Sequence, residues 1–328
     1  MEGMEQVDGN ALFSLFGAIV LARWIHFAAV FILFGSALFW FYMPDQRGFA
    51  AGDDQSRTLR ATVRLLQIAA PVAAISGAFW IAALFANMTN GFGGLLDPDA
   101  LGVFFWLTQF GPVVVLRLAL LAAAVLVVIL PWRNRASCSA LMHIGALLLV
   151  NQAWLGHAAE GGAGLYGALM ILVYSIHVLA AGAWVGGLPP LLFALVEQRR
   201  FNAPEARDAT LEILSRFSIM AMIAVSLMVV TGAANAGFRV GGAFAKIFDA
   251  DYGYVLAAKA GVIGLMLALA FFNRFVAMPK LRASSGDLES SGDLASIARL
   301  RTSVALELGL GVLVLALASL LGVTPPPQ

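Results

Sequence analysis

The chain has 328 residues, of which 61% are hydrophobic and 12% charged, with a mean hydropathy of +0.87 and a formal net charge of +1. No water-soluble domain of this length presents so much apolar surface, so the chain reads as an integral membrane protein, and the near-neutral charge excludes a nucleic-acid-binding face. The single cysteine, Cys138, excludes an internal disulfide and any paired-cysteine metal or redox motif.

The amino terminus carries Glu2, Glu5 and Asp8 where a signal peptide would be basic, and no cleavable leader is expected. Crossing the hydrocarbon layer as a helix takes about 20 apolar residues. Runs of that kind fall, in chain order, at Leu15–Met43, Val63–Asn87, Pro112–Leu130, Cys138–Trp154, Leu165–Val196, Ile213–Asn235, Tyr254–Val276 and Thr302–Val323. The expected fold is therefore all-α and polytopic, with eight transmembrane helices. Lys and Arg concentrate in the loops after the odd-numbered spans (Arg47, Arg57, Arg60, Arg64; Arg133, Arg135; Arg199, Arg200, Arg207, Arg216; Arg274, Lys280, Arg282, Arg299, Arg301). The other side has Arg239 and Lys246, and Arg23, Arg117 and Lys259 lie within spans. By the positive-inside rule those richer loops are cytoplasmic and both termini lie outside. The stretch 280–301, with two Ser-Ser-Gly segments, reads as a flexible cytoplasmic linker, and the proline tail as an extended stop.

The two halves match in order. Trp24-Ile25-His26 and Ser175-Ile176-His177 are each followed by Ala and Gly at equal spacings. Ser76-Gly77-Ala78 answers Thr231-Gly232-Ala233, and Phe110-Gly111 with Arg117 answers Tyr252-Gly253 with Lys259. These matches predict two parallel four-helix repeats, 1–160 and 161–328. An ionisable residue inside a membrane helix marks a functional site by default, and repeats build sites where they meet.

His26 and His177 each fall about ten residues into their helices, which at ~1.5 Å per residue is near mid-membrane. Two readings fit them: a shared metal or proton site, since imidazole binds copper, zinc and haem iron, or separate hydrogen bonds to neighbouring helices. Most of the 11 methionines are packing residues. Met170, seven residues before His177 and on nearly the same helical face, offers a thioether suited to Cu(I). His157 and Glu160 lie in a Gly-rich outer loop, either as a metal-capturing pair or as solvated side chains. His143, on the same helix as His157, would give the stacked histidines of a two-haem cytochrome only with partners at its own depth. Arg117 and Lys259 are expected either to snorkel to headgroups or to hold an anionic group such as a haem propionate, and as cations they repel copper. Arg23 is expected to face the same polar interior. Asn151, Gln152, Asn273 and Glu307 extend a polar path or form interhelical hydrogen bonds. Pro189-Pro190 is expected to bend the fifth helix and release carbonyls.

Ser175 through Leu188, together with Arg216-Phe217-Ser218, Thr231 through Asn235, Lys259, Asn273-Arg274 and Arg301 through Val304 with Glu307, resembles the CopD family of bacterial copper resistance and copper uptake proteins. The resemblance covers most of residues 165–323, and the eight-span layout with Gly156-His157-Ala158 is similar too. It implies an inner-membrane protein moving copper from periplasm to cytoplasm, with both termini periplasmic and a small CopC-type periplasmic partner. Neither a copper-binding β-domain nor a Met/His-rich tract accompanies this chain. Each half also resembles, more faintly, the four-helix bacterial protoporphyrinogen oxidase family, where a first-helix His and a third-helix cation matter for haem.

The leading expectation is copper transport: His157 and Glu160 capture copper, and Met170, His26 and His177 pass it inward. No Gly-x-x-x-x-Gly-Lys segment is present to bind ATP, so gradient, potential or a partner would drive movement. The alternative is a haem-b protein doing electron transfer or haem-linked oxidation, with His26 and His177 as axial ligands and Arg117 and Lys259 at the propionates. A scaffold for assembly is the third reading, and it leaves the repeated polar residues unexplained.

Overall fold

The structure is a computed structural model and describes residues 15–42, 57–132, 135–156, 159, 161–162, 164–197, 203–240, 244–283 and 291–325. Eight helices are long and apolar enough to cross a membrane. They are α1 (Leu15–Tyr42), α2 (Arg57–Met88), α3 (Phe110–Ile129), α4 (Arg135–Leu155), α5 (Leu165–Glu197), α6 (Ala203–Val240), α7 (Asp251–Arg282) and α8 (Ser291–Leu321). Between α2 and α3 runs a short apolar helix, Pro98–Leu107, whose first turn Asp97 caps by accepting from the Asp99 and Ala100 amides. The described residues contain no strand.

All eight expected spans are present, but several helices outrun their apolar runs. α6 begins at Ala203 and α8 at Ser291, well before their hydrophobic segments. Hydropathy marks only the part of a helix that lipid solvates, whereas backbone hydrogen bonding continues until something stops it. The stretch expected as a linker is accordingly helical to Ala283 and again from Ser291. At ~1.5 Å per residue the 33-residue α5 is about 50 Å long, longer than the hydrocarbon is thick.

One apolar core takes residues from every helix, among them Leu33, Leu66, Leu121, Leu148, Trp184, Leu214, Met266 and Leu300. Large side chains such as Ile75, Val115, Ile129, Val230 and Phe271 point outward, as lipid permits. α7 is the least enclosed span, with 6% of its apolar window buried against 50% for α2.

The centre of the bundle is the crossing of α1 and α5. Gly35 lies against the Gly182 carbonyl and Gly186, and a Cβ built on Gly186 would come within 1.9 Å of the Phe31 carbonyl oxygen. Backbones this close tolerate no side chain, which is how small residues drive helix association in lipid. A π-helical turn, Ile32–Ser36, widens α1 at this level and positions Ser36. α5 runs on as helix through Pro189 and Pro190. Pro190 has no N–H for the carbonyl four residues before it, Gly186, and the Ser36 hydroxyl donates to that oxygen at 2.7 Å instead. The expected released carbonyl exists, and a neighbouring helix takes it up.

Further bonds join the first half to the second. Trp24 Nε1 donates to the Val312 carbonyl at 3.0 Å and Arg23 Nη1 to the Gly322 carbonyl at 3.3 Å, fastening α1 to α8. Glu197, last residue of α5, accepts from the backbone amides of Arg57 and Thr58 at 2.7 and 2.8 Å, and from the Thr58 hydroxyl. A carboxylate there satisfies orphan amides at the α2 amino terminus and opposes its dipole. Replacing Glu197 with Ala is expected to cost about 1–2 kcal/mol, by analogy with a lost cap. The check is the melting temperature of the purified variant, which should fall, while Glu197→Gln falls less.

Candidate functional site

Both predicted histidines lie on the face of their helix that meets the next helix of the same half. His26, on α1, is fully buried. Its Nδ1 lies 2.8 Å from the Ala73 carbonyl of α2, and since a carbonyl only accepts, Nδ1 carries the proton. Its Nε2 lies 2.7 Å from Nη2 of Arg117 on α3; a guanidinium only donates, so Nε2 accepts. The ring is neutral and both nitrogens are occupied. Gly77 leaves room for it: a Cβ there would stand 2.8 Å from the ring atoms.

Arg117 is 1% exposed, which corrects the expectation that it snorkels to headgroups. Besides His26 it donates to Asn151 Oδ1 at 2.9 Å and to the Leu148 carbonyl at 3.3 Å, and its guanidinium lies over the Trp80 ring, 5.2 Å from the centroid. Asn151 is oriented for this by donating its Nδ2 to the Val113 carbonyl at 3.1 Å. No carboxylate among the described residues pairs with Arg117, so dipoles and an aromatic face replace the water a cation would otherwise hold. Arg23 contacts the same ring and its neighbour: its guanidinium is 5.4 Å from the centroids of both Trp80 and Phe27.

His177 repeats the cradle with one difference. Its Nδ1 lies 3.1 Å from the Thr231 hydroxyl of α6, and Thr231 spends its own proton on the Leu227 carbonyl at 2.5 Å. The imidazole is therefore the donor, again protonated at Nδ1. Ser76 makes the equivalent bond to the Val72 carbonyl at 2.5 Å in the first half. Gly232 faces the His177 ring as Gly77 faces His26, with more space, a Cβ standing 3.2 Å from Cε1. Gly111 and Gly253 likewise abut the carbonyls of Phe105 and Ile247 at the same spacing along the chain, where Cβ atoms would come to 2.0 and 1.9 Å. His177 Nε2, unlike that of His26, bonds no side chain among the described residues, while the Met228 carbonyl of α6, three residues before Thr231 as Ala73 is three before Ser76, is a second acceptor for the ring. The ring is only part-buried, and Lys259 of α7 is close enough for its charge to act on it. An imidazole with its tautomer fixed by a second residue and its other nitrogen open is the arrangement a metal ligand requires.

The remaining expected site residues divide. His26 and His177 do not share partners: one faces Ala73 and Arg117, the other Thr231. Met170 is buried, but its sulfur is set toward the loop before α5, where a Cβ on Gly161 would lie 2.8 Å from it. His157 and Glu160 lie outside the described residues. His143 is exposed and bonds the Ser139 carbonyl of its own helix at 2.7 Å, away from the other histidines. Asn273, opening a π-helical turn in α7, donates to buried Glu307 of α8 at 2.6 Å, and Arg274 donates to Ser218 of α6 at 2.6 Å. The described residues contain no group of three or more His, Cys, Asp or Glu able to hold a metal.

Haem fits the two halves unequally. In the first half, His26 Nε2 already accepts from Arg117, so His26 as an axial ligand does not fit. In the second half, an apolar groove of about 420 Å3 between α5 and α6 starts one turn along α5 from His177, lined by Ala180, Ala183, Ile223, Ala224 and Leu227.

A bundle of eight apolar helices with a neutral imidazole and a guanidinium, His26 and Arg117, buried inside it defines a polytopic membrane protein with an intramembrane polar site. The profile described as "Copper resistance protein D-like, N-terminal domain" matches residues 13–168, and "Copper resistance protein D" matches residues 211–321. The chain is 31% identical over 224 residues to Copper resistance protein D of Pseudomonas syringae pv. tomato, covering 67% of this chain and 69% of that one. It is 26% identical over 265 residues to Inner membrane protein YebZ of Escherichia coli strain K12, covering 80% and 85% respectively. To Copper transport protein CutJ of Bacillus subtilis strain 168 it is 31% identical over 192 residues, 56% of this chain and 34% of that one. No solved structure matches. The protein belongs to the copper resistance protein D family.

The two glycine cradles differ in clearance, and substitutions should read that difference. Gly77→Ala forces the His26 ring off its bonds and is expected to cost about 1–3 kcal/mol, as over-packing does, whereas Gly232→Ala costs less than 1. Melting temperatures of the two purified variants check the order.

Proposed function

We propose that this protein handles copper at the bacterial inner membrane and carries it from periplasm to cytoplasm. The observation that carries the reading is His177: in a family named for copper resistance, it is the imidazole whose proton is pinned to Thr231 while Nε2 stays open. The copper-transport name of the Bacillus subtilis relative and the inner-membrane name of the Escherichia coli relative support the cargo and the location. His157 and Glu160 capture the ion outside, Met170 receives it, and His177 is the ligand within the membrane. His26 joins that path only when Arg117 leaves its Nε2. The positive-inside distribution supports periplasmic termini, and a separate periplasmic CopC-type protein delivers the ion. The matched His, Ser/Thr, Gly and cation contacts support two parallel four-helix repeats, 1–160 and 161–328.

Haem b is the second reading, favoured by the apolar groove beside His177 with Lys259 nearby for an acidic substituent. Bound there, haem would supply one-electron chemistry. His177 would hold it, and the small side chains of Ala180 and Ala183 would let a flat apolar body lie against α5.

His177→Ala is expected to lower copper accumulation several-fold, measured by metal analysis of copper-supplemented cells expressing equal amounts of folded protein. Thr231→Val, which removes the hydroxyl partner of Nδ1 and leaves the Met228 carbonyl, should lower it less. A Soret band in the purified protein, lost in His177→Ala, decides for haem; uptake unchanged in His177→Ala removes His177 from the copper path.

A further inference from the structure

The copper path leaves two buried cations of the first half unexplained. At the end of the bundle where α1 begins and α2, α4 and α8 finish, a cavity of about 260 Å3 is lined by Arg23, Trp80 and Asn87 and by the apolar side chains of Phe16, Leu155 and Val323. We propose that this cavity binds a phosphate group.

The polar side chains lining it are Arg23 and Trp80, which only donate, and Asn87, whose amide both donates and accepts. Arg23 gives Nη1 to the Gly322 carbonyl, and its buried Nε has no partner among the described residues. Trp80 is 2% exposed and its indole N–H is also unpartnered, which is costly for a buried donor. Trp80 stands between two guanidiniums, Arg23 on one contact and Arg117 on the other, and Arg117 Nε is unpartnered as well. Both cations lie where the dielectric is low, no acidic side chain among the described residues lines the cavity, and none of the described carboxylates neutralises either of them. A ligand suited to this site carries negative charge to meet the guanidinium and accepts from an arginine and an indole at once. Phosphate oxygens do so, and guanidinium is the side chain best matched to them. The cavity opens where four helix ends meet, the level of lipid headgroups, and its apolar wall suits the glycerol end of a phospholipid. Free phosphate and a lipid phosphate are thus the two sources of one chemistry. The site is separate from His177 and does not depend on which cargo the protein carries.

The test uses the full-length protein in detergent. Inorganic phosphate is titrated while the melting temperature is followed, at ionic strength held constant with chloride, and phosphatidylglycerol adducts are counted by native mass spectrometry. Either saturable stabilisation by phosphate or a retained phosphatidylglycerol supports the proposal, the first naming free phosphate and the second the lipid. Arg23→Gln should weaken the observed binding about tenfold, as expected for a lost charge-assisted bond. Trp80→Phe, which keeps the ring and removes only the donor, should weaken it several-fold and keeps the test valid if Arg23→Gln fails to fold. Arg64→Gln, an exposed charge elsewhere, should change nothing. The proposal is overturned if neither probe binds, if chloride alone reproduces the effect, or if Arg23→Gln and Trp80→Phe are both indistinguishable from wild type. It is equally overturned if binding appears only after Glu2, Glu5 and Asp8 are neutralised, since the chain's own carboxylates would then be the occupant.

Discussion

The hydrogen bond from Arg117 to His26 constrains the first half more than any other contact. A guanidinium inside a lipid-facing bundle must recover from protein dipoles what water would have given it, and each helix around Arg117 supplies at least one group. α1 gives an imidazole nitrogen, α4 gives the Asn151 amide and the Leu148 carbonyl, and α2 gives the Trp80 face. The imidazole can accept only because its other nitrogen donates to α2 at Ala73, and that approach needs Gly77. The rotation of four helices is thus fixed by one cation. The second half places Lys259 on the most lipid-exposed span and makes no such bond, which is why His177 retains an open nitrogen.

Across the halves the constraint is steric. Gly35, Gly182 and Gly186 bring α1 and α5 to backbone contact, and the proline that would weaken α5 provides the acceptor for Ser36. Helix association in lipid gains little from hydrophobicity, so close packing and a few polar bonds supply it. The Glu197 cap and the Trp24 and Arg23 bonds to α8 serve the same end at the two extremities of the bundle.

Span number and order were legible because hydropathy reports lipid solvation directly, and the paired histidines, Ser/Thr-Gly motifs and cations because spacing survives in sequence. Helix ends were not: α6 and α8 begin in polar stretches that no transfer scale marks. Rotation was not legible either. Spacing put Met170 on the face of His177, but its sulfur turns toward Gly161. For Arg117 the sequence leaves two roles, snorkelling to headgroups or holding an anionic group; that Asn151, thirty-four residues on, orients to receive it is a property of two helices packed together. The Glu197 cap escaped for the same reason, since its partners Arg57 and Thr58 are distant in sequence. The one hint was a carboxylate at a helix end rich in basic neighbours.

A guanidinium locked between helices also acts on what never binds it. Its positive potential, little screened in so apolar a setting, raises the energy of hydronium, sodium or a bare metal ion near His26, as fixed arginines do in pores that exclude protons. The first half is in that sense guarded: a cation approaching His26 meets a like charge that three neighbouring helices hold in place.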